Sequence, residues 1–342
     1  MPRDRVDLLI VGGGVGGLAL ALAMKGRGYL IEILERTATP RPSRRGDLLQ
    51  PNGLTVLEHL GVLEEMTAMA VPIPTWRYYG REGTPLTSRD YRILDHPHPY
   101  ALSLLSHLTR QVLCDRAVRE SGIRLQPGSE VTGLLRDGDR LVGAVVREGA
   151  ATREVEARLI VAADGAQSAT REAMGIRAAV RQYPEAYLTM VIGRAGGLGA
   201  EGRLYFGARS YLGIIPVSQD MCYAFYYVHP SRYPEIRQRG LNALKAEIAA
   251  AVPAVADGLV RLTTWDDLVY WPCVSVRCAT WVTNGGALLG DAAHAISPHV
   301  AQGTNQALVD AWTLAEVAGR ALDRGDCSAA ALAPYEIGRA HV

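Results

Sequence analysis

The chain has 342 residues, 48% hydrophobic and 21% charged, enough to bury a substantial core in one large or two modest domains. A formal net charge of +1, from 36 basic and 35 acidic residues, carries no electrostatic footprint for nucleic acid or an anionic membrane surface. No apolar run approaches the ~20 residues of a membrane span, and five scattered cysteines (114, 222, 273, 278, 327) without a Cys-x-x-Cys pair read as reduced thiols of a cytoplasmic protein, not as a disulfide frame or metal site.

The first apolar run, Val6 to Val11, is too short for a signal peptide and is followed at once by Gly12-Gly13-Gly14-Val15-Gly16-Gly17. An Ala/Leu-rich helix from Leu18 to Lys25 and a second strand from Tyr29 to Glu35 complete a βαβ unit. Gly12 permits the tight turn, Gly14 admits a pyrophosphate close to the backbone, and Gly17 lets helix and strand pack. The loop Gly12, Gly14, Val15 and Gly17 is therefore expected to hold a dinucleotide at a helix N-terminus, where free amides and the helix dipole favour phosphate. Glu35 ends the second strand 18 residues past Gly17. A carboxylate there accepts from both ribose hydroxyls and repels a 2′-phosphate, which leaves FAD or NAD and disfavours NADP at this site.

Further along, Arg158 to Ala163 reads as a strand ending in Asp164-Gly165, with Ser168 placed to cap a helix near Ala169. A second glycine set, Gly197-x-Gly199-x-x-Gly202, is followed by Arg203-Leu204-Tyr205-Phe206, a strand rather than a helix, and so is expected to be a β-turn loop without phosphate. Strand patterns at 187–192, 204–206, 212–215 and 222–227, separated by turn residues, predict an antiparallel sheet, to which 76–99 would add. Finally Gly286 to Leu289 ends in Gly290-Asp291, followed by Ala292-Ala293-His294, and 304–319 reads as a helix. Ligands of open α/β sheets bind at such carboxyl edges.

In this order the motifs resemble the FAD-dependent monooxygenases related to para-hydroxybenzoate hydroxylase and the ubiquinone-biosynthesis hydroxylases. The resemblance rests on GGGVGG at 12–17, Glu35, SRRGDLLQPNGLTVLEHLGV at 43–62, ADGAQSATR at 163–171 and GDAAHAISPHVAQGTNQALVDA at 290–311. It implies an α/β (α+β overall) architecture: a Rossmann-like FAD-binding βαβ domain, discontinuous over 1–75, 100–180 and 275–342, and an inserted, mostly antiparallel β-sheet substrate domain over 76–99 and 181–274. It further implies that Arg44 or Arg45 contacts FAD near its phosphates, the other being a solvated surface charge. Asp164 would contact FAD, and Gly290 with Asp291 would bind the ribityl chain. Pro298 would line the pocket beside the isoalloxazine, and Gly303, Thr304 and Asn305 would meet its pyrimidine edge. The amides at the start of that last helix suit the negative N1–C2=O edge of reduced flavin. Arg110, in the blurred stretch Ser106 to Gln111, is the candidate for the family's Arg or Gln before a helix.

The activity implied is a single-component hydroxylase. NAD(P)H reduces tightly bound FAD, O2 gives a flavin C4a-hydroperoxide, and an aromatic or other electron-rich small molecule accepts the oxygen. His299 is the candidate acid/base and His294 the structural histidine; Tyr211 and Tyr226 are candidates for a phenolic pocket, against the ordinary role of Tyr in filling sheet faces. No metal is expected, and the chain should be a monomer or homodimer. A flavin halogenase is disfavoured, because Tyr211 to Pro216 lacks the family's tryptophans and no lysine lies between 26 and 244. An epoxidase or reductase on the same fold, and a non-catalytic FAD-binding protein, stay open. The closing heptapeptide Glu336 to Val342 matches what a common sequencing adapter encodes in one frame, so a longer native chain is expected.

Overall fold

The computed structural model describes residues 4–340 except 41, 81–82, 195–196 and 208–209. The run around Leu8, Leu9 and Ile10, all fully buried, forms the strand Asp4–Val11 at the centre of a sheet covered on both faces, as unbroken apolar runs do in parallel sheets. Ile31–Glu35 lies parallel to it on one side, with Ile123–Pro127 parallel beyond. On the other side the second half of Ala151–Ala162 is parallel, followed by Gly286–Leu288. The first half of Ala151–Ala162 instead joins an antiparallel meander with Arg140–Glu148 and Ser129–Asp137. The helices Val15–Ala23, Ser106–Ala117 and Gly303–Arg324 cover one face. Gly16 lets the first and last of these approach: a Cβ there would fall 2.4 Å from Leu289 Cδ2 and 3.4 Å from the Ala307 Cβ.

A second sheet runs in the order Leu268–Cys278, Ala178–Gly193, Met221–Val228, Tyr211–Pro216, Glu201–Phe206, Thr75–Tyr79, Pro85–Asp90. It is antiparallel except where Glu201–Phe206 meets Thr75–Tyr79. The expected strands are present, and the strand after Gly197–Gly202 is confirmed as a strand. Leu268–Cys278 pairs along Ala178–Gly193 without having been legible as a strand. One face of this sheet carries Leu188, Met190 and Tyr226 into a core with Leu244 and Ile248. On the other, Ile215 and Tyr223 pack with Leu48, Ile73 and Ala101 from a small sheet of Gly46–Leu49, Ala101–Leu105 and Val71–Ile73. That small sheet joins the two large ones. Among the described residues no helix is long and apolar enough to cross a membrane, and no group of three or more His, Cys, Asp or Glu is arranged to hold a metal.

Candidate functional site

Of the five parallel strands, four carry the expected motifs at or after their last residues. Gly12, after Val11, has φ +116°, and a Cβ there would lie 2.3 Å from the Ala163 carbonyl oxygen. A Cβ on Gly17 would lie 2.1 Å from the Gly12 carbonyl oxygen, whereas one on Gly14 would meet nothing within 4 Å. Chain packing thus requires two of these glycines, but nothing in the chain requires the third. The space over Gly14 is open, and the helix beginning at Val15 has no side-chain cap, so its first-turn amides are left for an outside acceptor. Glu35 Oε2 accepts from the Gly13 amide at 3.0 Å and its Oε1 from the Thr37 amide at 2.7 Å. Arg110 Nε donates to the Gly13 carbonyl at 2.7 Å, which brings this residue from its own helix to the glycine loop.

Asp164 lies beside Gly12. Its Oδ2 accepts from the Thr170 amide at 3.1 Å and its Oδ1 from the Ser168 hydroxyl, while Ser168 Oγ caps the helix Ala169–Ala173 through the Arg171 amide. Arg171, buried and assigned no role from sequence, donates to the carbonyls of Ala166 and Ala292 at 3.1 and 3.0 Å. It thereby ties the Asp-Gly loop to the Gly-Asp turn. Gly290 takes φ +61° and starts the short helix Asp291–His294. Asp291 is exposed to solvent yet crowded by protein; desolvation raises its pKa, against the opposing pull of His294 and Arg45. Asp310 Oδ2 accepts from the Gly290 amide at 2.9 Å and from His294 Nε2 at 2.6 Å, and its Oδ1 from Arg339 Nε at 2.5 Å. His294 is accordingly part of this support.

The loop Pro298–Gln302 precedes the long helix Gly303–Arg324, which also lacks a side-chain cap. Ala301 within it has φ +51° and ψ +42°, the left-handed conformation that costs a residue with a Cβ ~1–2 kcal/mol. The Asn305 side chain is fully buried and spent on backbone: Nδ2 donates to Leu48 O and Ala301 O, both at 2.9 Å, and Oδ1 accepts from the Gln50 amide at 2.8 Å. What Asn305 leaves for a ligand is its main chain, not its amide group. Thr304 Oγ1 donates to Asp47 Oδ1 at 3.3 Å. Asp47 itself was not singled out from sequence. Desolvation raises its pKa, opposed first by the Thr109 hydroxyl and then by Arg45 and Thr304, and its Oδ2 is sealed from solvent. A lone carboxylate in the apolar strand Gly46–Leu49 was the available signal.

The two arginines separate cleanly. Arg44, its side chain more than a third exposed as expected of a surface charge, also forms an ion pair with Asp267 on the loop before Leu268–Cys278. The Arg45 guanidinium stands 4.9 Å from the Trp271 ring centre, and its charge acts on Asp47, Asp291 and Tyr223.

The second sheet presents aromatic side chains beside the loop Pro298–Gln302. The hydroxyls of Tyr187 and Tyr211 are hydrogen-bonded, Tyr211 stacks on Tyr227 (5.3 Å, 15°), and Phe225 lies 6.0 and 6.4 Å from Tyr187 and Tyr211. The His299 ring is 6.0 Å from Tyr187 and 6.1 Å from Tyr211, and its Nδ1 is 3.5 Å from Glu185 Oε2. Burial drives the pKa of both Tyr187 and Tyr211 upward, so at neutral pH they are O–H donors and not bases. Tyr226 does not belong to this cluster. Neighbours along a strand face opposite ways, so it points into the other core and donates to Glu247 Oε1 at 2.8 Å.

The residues present fit FAD on two observations: open space over Gly14, and the helices Val15–Ala23 and Gly303–Arg324 starting without side-chain caps. A family model described as FAD binding domain matches residues 5–342. The chain is 30% identical over 342 residues to 6-methylpretetramide 4-monooxygenase of Streptomyces rimosus, covering 96% of this chain and 79% of that protein. It is 28% identical to kynurenine 3-monooxygenase of Salinispora arenicola, covering 99% and 77%. Among solved structures it resembles pqsL, a probable FAD-dependent monooxygenase from Pseudomonas aeruginosa, with TM-score 0.86 and 24% identity over 98% of this chain and 92% of that one.

Proposed function

The chain belongs to the FAD-binding-domain family, and from that premise we propose that it is a single-component hydroxylase using FAD, NAD(P)H and O2 on an aromatic small molecule. The observation that carries the reading is the aromatic cluster of Tyr187, Tyr211, Tyr227 and Phe225, which His299 joins to the loop that follows the Gly290-Asp291 turn. The monooxygenase names of the relatives support it.

In this reading Gly12, Gly14, Val15 and Gly17 hold the pyrophosphate and Glu35 the adenosine ribose. Arg110 and Arg45 offset phosphate charge, Arg110 from its place on the glycine loop. Asp164 borders the same channel, and Gly290 and Asp291 hold the ribityl hydroxyls. Gly303, Thr304 and the Asn305 main chain sit at the pyrimidine edge, where the helix dipole favours negative charge. When bound, FAD supplies hydride acceptance from NAD(P)H and the reaction with O2. The chain positions the substrate, keeps water away with the sheet above, and handles the proton. In the hydrogen-bonded pair Tyr187 and Tyr211 one hydroxyl donates to the other, and the remaining proton orients a ring hydroxyl. His299, within reach of Glu185, holds or releases a proton at its imidazole, and Pro298 shapes the pocket wall. A cytoplasmic setting, where NAD(P)H is at hand, suits this activity.

The test is FAD titration of the purified protein, followed by NAD(P)H oxidation across phenols, quinolones and fused-ring phenols. The reading expects a bound flavin and consumption stimulated by at least one aromatic class. A protein that takes up no FAD contradicts it.

A further inference from the structure

Gln50 lies in the block 43–62 but has been assigned no role, and it is buried where the small sheet meets the loop Pro298–Gln302. Its Nε2 donates to Val300 O at 2.6 Å and Ala301 O at 3.2 Å, and its amide donates to Asn305 Oδ1 at 2.8 Å. Its Oε1 accepts from the Tyr91 hydroxyl at 3.2 Å, and Tyr91 in turn accepts from Arg89 Nη2 at 3.1 Å on the last strand of the second sheet. The carbonyls that Gln50 grips belong to the left-handed Ala301, the only non-glycine with positive φ among the described residues, and to its neighbour. A strained turn persists only where its surroundings over-determine it, and here the Gln50 side chain and Asn305 Nδ2 add to the turn's own bond from the Ala301 N–H to Pro298 O at 2.9 Å.

We propose that Gln50 is a positioning residue. It holds Val300 and Ala301 in the left-handed turn that carries Pro298 and sets His299 against Tyr187 and Tyr211, and through Tyr91 it ties that loop to the second sheet. The inference rests on the FAD reading for its consequence, not for its geometry. Without the amide, Ala301 relaxes to a right-handed or extended conformation, and the loop that leads into the uncapped helix Gly303–Arg324 shifts with it. A glycine at 301 would hold the turn without help, because it enters the left-handed region freely.

The experiment compares wild type, Gln50→Ala, Ala301→Gly, the double variant and Tyr91→Phe. Three quantities are read: FAD dissociation constant by flavin fluorescence, shape of the bound flavin's visible band, and, in the FAD-free protein, thermolysin cleavage at the exposed Ile296 and Val300. Gln50→Ala should weaken FAD about tenfold, blur the band and speed cleavage. Tyr91→Phe should do the same to a smaller degree. Adding Ala301→Gly to Gln50→Ala should restore most of the affinity and the band shape, which a residue acting merely as core filler would not allow. The proposal is overturned if Gln50→Ala matches wild type in all three, or if the double variant is no better than Gln50→Ala. A wild-type chain without FAD binding, but with cleavage accelerated in Gln50→Ala, overturns the FAD reading and leaves the clamp standing.

Discussion

His294 Nε2 stands 2.6 Å from Oδ2 of Asp310, the same oxygen that accepts the Gly290 amide at 2.9 Å. One buried carboxylate therefore holds both the start and the end of the turn that presents Asp291. Removing one partner of a buried charge pair costs about 3–5 kcal/mol, because the other is left uncompensated. Asp310→Asn should lower stability by about that amount in urea unfolding and also weaken FAD, whereas an unchanged midpoint would mean that the turn holds itself.

The pair also gives a pH signature. Burial alone would lower the pKa of His294, but the hydrogen bond and charge of Asp310 outweigh it, so the net shift is upward. A histidine whose pKa rises on folding stabilises fully below its unfolded value of about 6.5, and that contribution is lost as pH climbs through the higher folded value. The unfolding midpoint should thus fall as pH is raised above about 6.5. In His294→Asn this part of the pH dependence should vanish; its persistence would place the titration elsewhere.

Glycines 12 and 14 should fail in different ways. Gly12→Ala forces a Cβ within 2.3 Å of the Ala163 carbonyl at φ +116°, so the fold should lose about 3 kcal/mol or more. Gly14→Ala meets nothing within 4 Å and should alter stability by no more than ~1 kcal/mol. Yet it should weaken FAD at least about tenfold, since the space it fills is the proposed pyrophosphate site. Thermal unfolding and flavin titration on the two variants separate the cases; equal FAD affinity in Gly14→Ala would place the phosphates elsewhere.

Adjacent arginines give a parallel contrast. Arg44 is more than a third exposed and paired with Asp267, so Arg44→Ala should cost at most ~1 kcal/mol and spare the flavin. Arg45→Ala should leave stability near wild type and reduce FAD affinity about tenfold, or 1.4 kcal/mol. The reverse pattern in a titration would exchange their roles.

Much of this site was legible because strand-end motifs are local. A buried parallel strand followed by Gly12-Gly13-Gly14, Asp164-Gly165 or Gly290-Asp291 announces its own turn, and Ser168 announces its helix. What escaped is what depends on long-range partners. Arg44 and Arg45 look alike until Asp267 and Trp271 take opposite sides. Tyr226 could not be separated from Tyr227 before pairing with Tyr211–Pro216 fixed the faces of its strand. Leu268–Cys278 hid because Pro272 interrupts it and its burial lacks a clean alternation, and it is Ala178–Gly193 that completes it. Asp47 and Gln50 stood inside a conspicuous block, but only their contacts, 250 or more residues away in sequence, show what they touch.

The most direct test of the central claim is product analysis of the FAD-loaded protein turning over with NAD(P)H and an aromatic substrate under isotopically labelled O2. One atom of label in the product hydroxyl is the expected result. NAD(P)H oxidation that yields only hydrogen peroxide and unlabelled aromatics, across every ring class that binds, would contradict it.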